Sequence, residues 1–375
     1  MLTAAGHETL TGVRVLDLSR VLAGPLCAMI LGDMGASVLK VERPDGGDET
    51  RGWGPPFDER GESAYYLSVN RNKLGLAADL SLEPDAALVR SLAAQADVVV
   101  ENFRPGALDR RGLGVAALRA SNPGLVWCTI SGFGPRSSRP GYDFVVQAES
   151  GWMSITGEPD GAPMKHGVAL ADVLAGKDAA LAILGALVAR TRTGEGRQVH
   201  VSLEASAEAA LLNVAQNALV SGRPSSRWGN AHANLVPYQL FEAADRALVI
   251  AVGNDAQWLA CARALGLDTL GADPALRTNA GRLAQRERVV GTIAARVRER
   301  PASVWLAQLE GGSVPCGVVR SVLEVLESSA GSALTGMPPS VPGSVRRPPP
   351  RLGEHSALVR ARGWDAFAAP PGTTG

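Results

Sequence analysis

Apolar positions in the first half of the chain fall into short β-branched runs separated by longer Ala/Leu-rich stretches. Val13–Leu18 predicts a buried strand, and a Gly24-Pro25 step opens a helix over about Leu26 to Met34 that Gly35 ends. Ser37–Glu42 predicts the next strand, so the opening reads as a parallel βαβ unit. The alternation continues with a helix near Pro84–Gln95, a strand at Asp97–Glu101, a helix near Val115–Ala120 and a strand at Val126–Ser131. Ala175–Thr191 predicts a long helix stopped by Thr193-Gly194-Glu195-Gly196, and Val199–Leu203 the strand after it.

Beyond Glu204 the texture changes. A helix is expected over Ala205–Val220, then a linker at Ser221–Ser226, strands at Tyr238–Glu242 and Ala247–Val252, and helices near Ala256–Leu265 and Arg282–Arg300. Pro338–Arg351 reads as extended, a short helix follows His355, and the last six residues read as disordered. The pattern predicts an α/β fold. A Rossmann-like large domain with a parallel sheet covers 1–204, a linker helix and loop 205–226, a smaller α+β domain 227–325, and a C-terminal return segment 326–375 packs on the large domain.

With 375 residues, 46% of them hydrophobic and 20% charged, the chain is long and apolar enough for a large core. Its 37 basic residues are matched by 37 acidic ones, without the basic excess of a nucleic-acid binder. Only four of the basic residues are lysines, namely Lys40, Lys73, Lys165 and Lys177. Codon bias accounts for the arginines; it does not say why those four positions stayed lysine.

Cys27, Cys128, Cys261 and Cys316 are scattered, with no CxxC pair, which suits a reducing cytoplasm better than a disulfide framework or a zinc site. The first 15 residues lack the pattern of a signal peptide, and the apolar run Ala179–Ala189 is short of the roughly 20 residues a membrane span needs. His7, His166, His200, His232 and His355 show no metal-ligand spacing. HExxH, GxxxxGK[ST] and GxSxG are absent. The expectation is a cytoplasmic protein with no metal, no membrane association and no nucleic-acid partner.

Several segments, in order, resemble class III CoA-transferases, the family of formyl-CoA transferase and the α-methylacyl-CoA racemases. They are Leu10–Ser19, Ala23-Gly24-Pro25, Leu31–Ala36, Lys40–Arg43, Gly47–Arg51, Asn70–Lys73, Val100–Gly106, Gly151–Asp160, Gly167–Asp172 and Pro350–His355. The resemblance implies an interlocked homodimer. It also implies a mechanism in which Asp172 attacks an acyl-CoA thioester, passes through an aspartyl anhydride and an aspartyl-CoA thioester, and hands CoA to a second carboxylic acid. Coenzyme A is then a substrate, and no tightly bound cofactor is implied. Asp172 lies where a long helix begins, so the residues alone allow either a helix cap or a reactive carboxylate that the helix N-terminus keeps ionised.

Matching to the family points to Val21, Leu22, Arg43, Ala78-Asp79-Leu80-Ser81, Asn102-Phe103-Arg104, Arg110 and Tyr142 as CoA contacts. Each arginine taken alone also fits a solvated surface charge. Leu22 stands where the formyl-CoA enzyme has an amide, which argues against formate and oxalate. Arg227–Asn234 carries one glycine where that enzyme has a glycine-rich loop. The racemases place a His in a Gly-His-Asp step. Here the step is Gly141-Tyr142-Asp143, and a phenol with a pKa of about 10 is a poor base at neutral pH. Arg227–Phe241 is most similar to the dicarboxylate-using, succinate–hydroxymethylglutarate branch, which makes Lys165, His166, Arg227 and His232 candidates for the distal carboxylate. Racemase or hydratase-like chemistry, or a non-catalytic partner of a second family chain, are the other readings.

Overall fold

A computed structural model describes residues 8–328 and 337–368. Six strands, β1 (Arg14–Asp17), β2 (Ser37–Glu42), β3 (Lys73–Ala77), β4 (Val98–Glu101), β5 (Val126–Ser131) and β6 (Gln198–Ser202), form one sheet. Its order is β3-β2-β1-β4-β5-β6 and every neighbouring pair is parallel. This is the doubly wound order, whose reversal between β1 and β4 opens a crevice beyond the carboxyl ends of those two strands.

Alternate residues of the central strands serve opposite cores, as the two-residue period requires. Val15, Val38, Val98 and Val126 pack with α1 (Ala23–Asp33) on one face. Leu16, Leu39, Val99 and Trp127 pack on the other with Val89 and Leu92 of the helix Glu83–Ala94. Strand β3 was not expected, because its sequence KLGLA has no β-branched residue.

Two helix boundaries differ from the sequence reading for identifiable reasons. A short helix absent from that reading, α2 (Asp143–Glu149), supplies Asp143, whose Oδ1 accepts from the N–H of Ala171 at 2.8 Å and of Asp172 at 3.3 Å. That cap comes from across space, so α3 (Leu170–Thr193) starts at Leu170 rather than Ala175. The single helix expected over Ala205–Val220 is broken. Leu203–Ala209 ends, Leu212 adopts a φ of 40°, and α4 (Leu212–Ser221) follows.

Contacts divide the chain into two compact units. The large one holds the described residues up to Met153, Lys165–Arg223 and the described C-terminal residues. The small one holds Ser154–Met164 and Pro224–Ser328, so the expected unbroken 1–204 domain is interrupted. Within the small unit the Arg227 guanidinium donates to the carbonyls of Glu158 and Gly161 at 3.1 and 2.8 Å, and Gly229 N donates to Gly157 O at 3.1 Å.

The small unit carries an antiparallel sheet of β7 (Tyr238–Glu242), β8 (Ala247–Ala251) and β9 (Cys316–Val318), against a core containing Trp258 and Trp305. Strand β9 and the helix Ala302–Gly311 were not foreseen. The helix expected over Arg282–Arg300 is two, Asn279–Ala284 and Arg286–Val297, separated at Gln285.

In the large unit the extended tail returns to the edge of the sheet. Asn72 exchanges hydrogen bonds with the backbone of Ser344, Arg346 and Arg347, and Arg51 donates to Pro350 O at 3.2 Å. The last six residues of the chain lie outside the described ones. No helix of the described residues is long and apolar enough to cross a membrane. No cluster of His, Cys, Asp and Glu among them could hold a metal ion.

Candidate active site

Asp172 sits in the first turn of α3 without capping it; the N-cap position is Ala169, and Asp143 does the capping. Its own backbone donor comes from a different helix, the Ala23 N–H at the start of α1. The two helix starts approach closely because residue 176 is glycine, where a Cβ would stand 2.7 Å from Ala23 O. Burial, and then the neighbouring Asp143 carboxylate, push the Asp172 carboxyl up to about 7, with the Ala23 N–H pulling the other way. This corrects the expectation that its own helix end keeps Asp172 ionised: the α3 N–H groups that could do so are spent on Asp143. A half-buried carboxylate of raised basicity is a stronger nucleophile than one in water once it loses its proton.

Asp172 lines a cavity of about 460 Å³ at the β1/β4 crevice, together with Val21, Asn102, Phe103, Arg104 and Tyr142 from the sequence-derived set. A neighbouring cavity of about 300 Å³ takes in Arg43, Ala78, Asp79, Leu80 and Ser81. Arg110 lines a third of about 620 Å³. Phe103 borders all three. Leu22 is not on these walls; it occupies the N-cap position of α1. Asp79 accepts from Ser81 N and Oγ at 2.8 and 2.6 Å, so its carboxylate shapes that turn. Asn102 likewise holds backbone, accepting from Arg20 N at 3.0 Å and donating to Arg20 O at 2.8 Å.

The four residues named for a distal carboxylate are divided between the two units, Lys165 and His166 in the large one. Lys165 is exposed and donates to His166 O at 3.1 Å, while His166 donates its N–H to Gln147 and presents its ring to Trp152. Arg227 and His232 belong to the small unit. Arg227 is engaged with the carbonyls of the 158–161 turn, and His232 Nδ1 accepts from Asn234 N at 2.9 Å.

Sequence reasoning missed Arg20, Asp143 and Tyr65. Burial, and then the Asp172 charge, raise the Tyr65 phenol to about 12, which places it in the same electrostatic environment. Asp143 had been visible only as the residue after Tyr142, and the hydrogen bonds that matter run to a segment 28 residues away.

The profile described as CoA-transferase family III matches residues 10–356. The chain belongs to that family. Among curated family III relatives, a succinate–glutarate CoA-transferase of Agrobacterium fabrum is 42% identical over 94% of this chain and 95% of its own length. The succinyl-CoA:glutarate CoA-transferase of Mus musculus is also 42% identical, over 94% and 86%. A CAIB/BAIF family protein from Brucella suis superimposes with a TM-score of 0.84 at 38% identity, covering 95% of this chain and 99% of that one. The chain is thus an enzyme of the CoA-transferase class, and CoA thioesters are its substrates.

Proposed function

We propose that the enzyme moves coenzyme A from a dicarboxylyl-CoA, succinyl-CoA foremost, to a second dicarboxylic acid such as glutarate, with Asp172 as the covalent nucleophile. The observation that carries this reading is the carboxyl of Asp172 at about 7, on the wall of a cavity at the sheet's switch point. The names of the relatives support the choice of acids.

In this mechanism an Asp172 oxygen attacks the thioester carbonyl, the C–S bond breaks, and an aspartyl anhydride and CoA thiolate result. The thiolate then attacks the Asp172 carbonyl, releasing the first acid and leaving aspartyl-CoA. The incoming carboxylate repeats the sequence in reverse, which returns Asp172 free. Every step develops an oxyanion, for which the Ala23 N–H at the start of α1 is a candidate donor.

In this reading Arg43 and Arg110 meet the CoA phosphates, and Phe103 borders the cavities of both. Arg104 is in no ion pair among the described residues and is a further candidate. For the distal carboxylate we favour Lys165, since Arg227 already serves three carbonyls. A racemase would keep Asp172 but needs a second proton-transfer group. Tyr142, the residue in that place, is 59% exposed and a phenol.

The enzyme is further read as a homodimer in a reducing cytoplasm. Helix α4 has no buried residue and exposes Leu212, Leu219 and Val220, a face that a second copy would cover.

The deciding experiment is intact-protein mass spectrometry with succinyl-CoA. The wild type is expected to carry a CoA or acyl adduct, and Asp172→Ala neither adduct nor turnover; an adduct on the variant would falsify the assignment.

A further inference from the structure

The loop from β1 to α1 is gripped residue by residue, from the end of β1 itself and from other elements. Asp17 accepts from Ser19 N and Oγ at 3.0 and 2.5 Å, and Asn102 brackets Arg20 on both sides. The next residue, Val21, has a φ of 72°, a left-handed conformation that a β-branched side chain adopts only when its surroundings impose it. Both carboxylate oxygens of Asp48 accept from its N–H, each at 3.2 Å.

Asp48 is itself bonded on several sides. Its side chain is wholly buried, Lys40 Nζ stands 3.0 Å away, and Thr50 donates through N and Oγ at 3.1 and 2.8 Å. Lys40 also donates to Ser19 O at 3.0 Å, so one ammonium ties the clamp to the loop it clamps. A compact ammonium suits these acceptors, since an arginine here would bury a planar fork with donors left over.

Two residues beyond Val21, α1 begins with no capping side chain at Leu22, and its first N–H, at Ala23, faces Asp172. We propose that Asp48, anchored by Lys40, is a positioning residue for Asp172: by holding Val21 in the left-handed region it aims the start of α1 at the nucleophilic carboxylate. This rests on the reading of Asp172 as the nucleophile. If Val21 relaxes to a negative φ, the Ala23 N–H swings away and the ionised form of Asp172 loses its donor. CoA binding through Arg43 and Arg110 does not depend on that N–H.

The test is the kinetic pH profile of Asp48→Asn in the full-length enzyme with succinyl-CoA and glutarate. The expected result is a kcat lower by about ten- to a hundred-fold, with KM for the acyl-CoA changed less than about twofold, and a midpoint of the profile moved upward. The groups facing Asp172, namely Asp143 from α2 and Tyr65 from the helix Ala64–Leu67, are kept in every variant. Removing the Asp48 charge alone would move the midpoint down, so the upward direction separates positioning from simple electrostatics. Val21→Gly in the Asp48→Asn background is expected to recover most of the lost kcat, because glycine takes a positive φ without strain.

A folded Asp48→Asn variant with wild-type kcat and midpoint, or a loss that Val21→Gly does not recover, overturns the proposal. If Asp48→Asn does not fold, Thr50→Val strips one hydrogen bond from the same carboxylate and is expected to shift the midpoint upward by less. An unchanged midpoint there also overturns it. Failure of the nucleophile reading shows separately, as an adduct that survives Asp172→Ala.

Discussion

Two regions at the carboxyl edge of the large sheet treat the same side chain in opposite ways. Around the ends of β1 and β2, Asp17 and Asp48 are fully buried, and each meets an ammonium: Lys73 at 2.9 Å and Lys40 at 3.0 Å. Burial alone would raise both carboxyls, but the lysine charges and hydrogen bonds overturn it and hold them below the ordinary value. At the start of α3, Asp172 is less buried, yet it faces Asp143 instead of a cation and is pushed up to about 7. What decides whether a buried carboxylate is scaffold or reagent is therefore its partner more than its depth. Lys73 completes the picture. Its three donors go to Asp17, Pro25 O and Asn70, each at 2.9 Å, and burial lowers it only to about 8, so it stays charged at neutral pH.

The contrast can be broken at either region. The largest effect is expected from Lys73→Met, which strands the Asp17 carboxylate without its partner; chemical denaturation should show a loss of about 3–5 kcal/mol. A loss below about 1 kcal/mol would mean that the network is not a scaffold. Next comes the pH profile of the wild type. With Asp172 as the proposed nucleophile the deprotonated form reacts, so kcat/KM should fall about tenfold per pH unit below a midpoint near 7 and level off above it. A profile flat down to pH 5 would place Asp172 with Asp17 and Asp48.

Stability supplies a smaller effect of opposite sign. A folded carboxyl near 7 against an unfolded one near 3.8 means that the native state holds the extra proton between those values. Native stability contributed at this site therefore falls as pH rises from about 4 to about 7, then stays flat. Asp172→Asn should accordingly stabilise the fold at pH 8 by roughly 1–3 kcal/mol while giving little gain at pH 4, as read from thermal melts. Equal gains at both values would contradict the raised carboxyl. Last, Asp143→Asn keeps the cap on α3 but removes the facing charge. The kinetic midpoint should move down by about half a unit to one unit, and an upward move would show that Asp143 acts otherwise.

The strands around the switch point were legible because buried parallel strands are continuous β-branched runs, as in Val98-Val99-Val100. Strand β3 was not, since Lys73 and Gly75 break that signature; the lysine is there for its charge, and a Cβ at Gly75 would meet Pro350 at 3.2 Å. Asp172 was legible as a candidate through its place in an ordered set of motifs. Its electrostatics were not, because the residue that caps its helix and the residue that donates to it lie on α2 and α1. Arg227 shows the converse case. Its place in a segment resembling the dicarboxylate-using branch suggested a substrate contact, and the local fold has its guanidinium donating to the carbonyls of a turn, which no linear pattern foretells.

The sequence by itself determined the alternation of strand and helix, the family, and a list of candidate site residues, because periodicity and motif order are local or linear properties. Only the tertiary structure decided which charges neutralise one another. That depends on distances of about 3 Å between side chains far apart in the chain. The lysines at 40 and 73 were an oddity of composition. Folded, they are the cations that hold the Asp17 and Asp48 carboxyls low, and with Asp143 rather than a cation beside it the Asp172 carboxyl is pushed up, as the proposed nucleophile role requires.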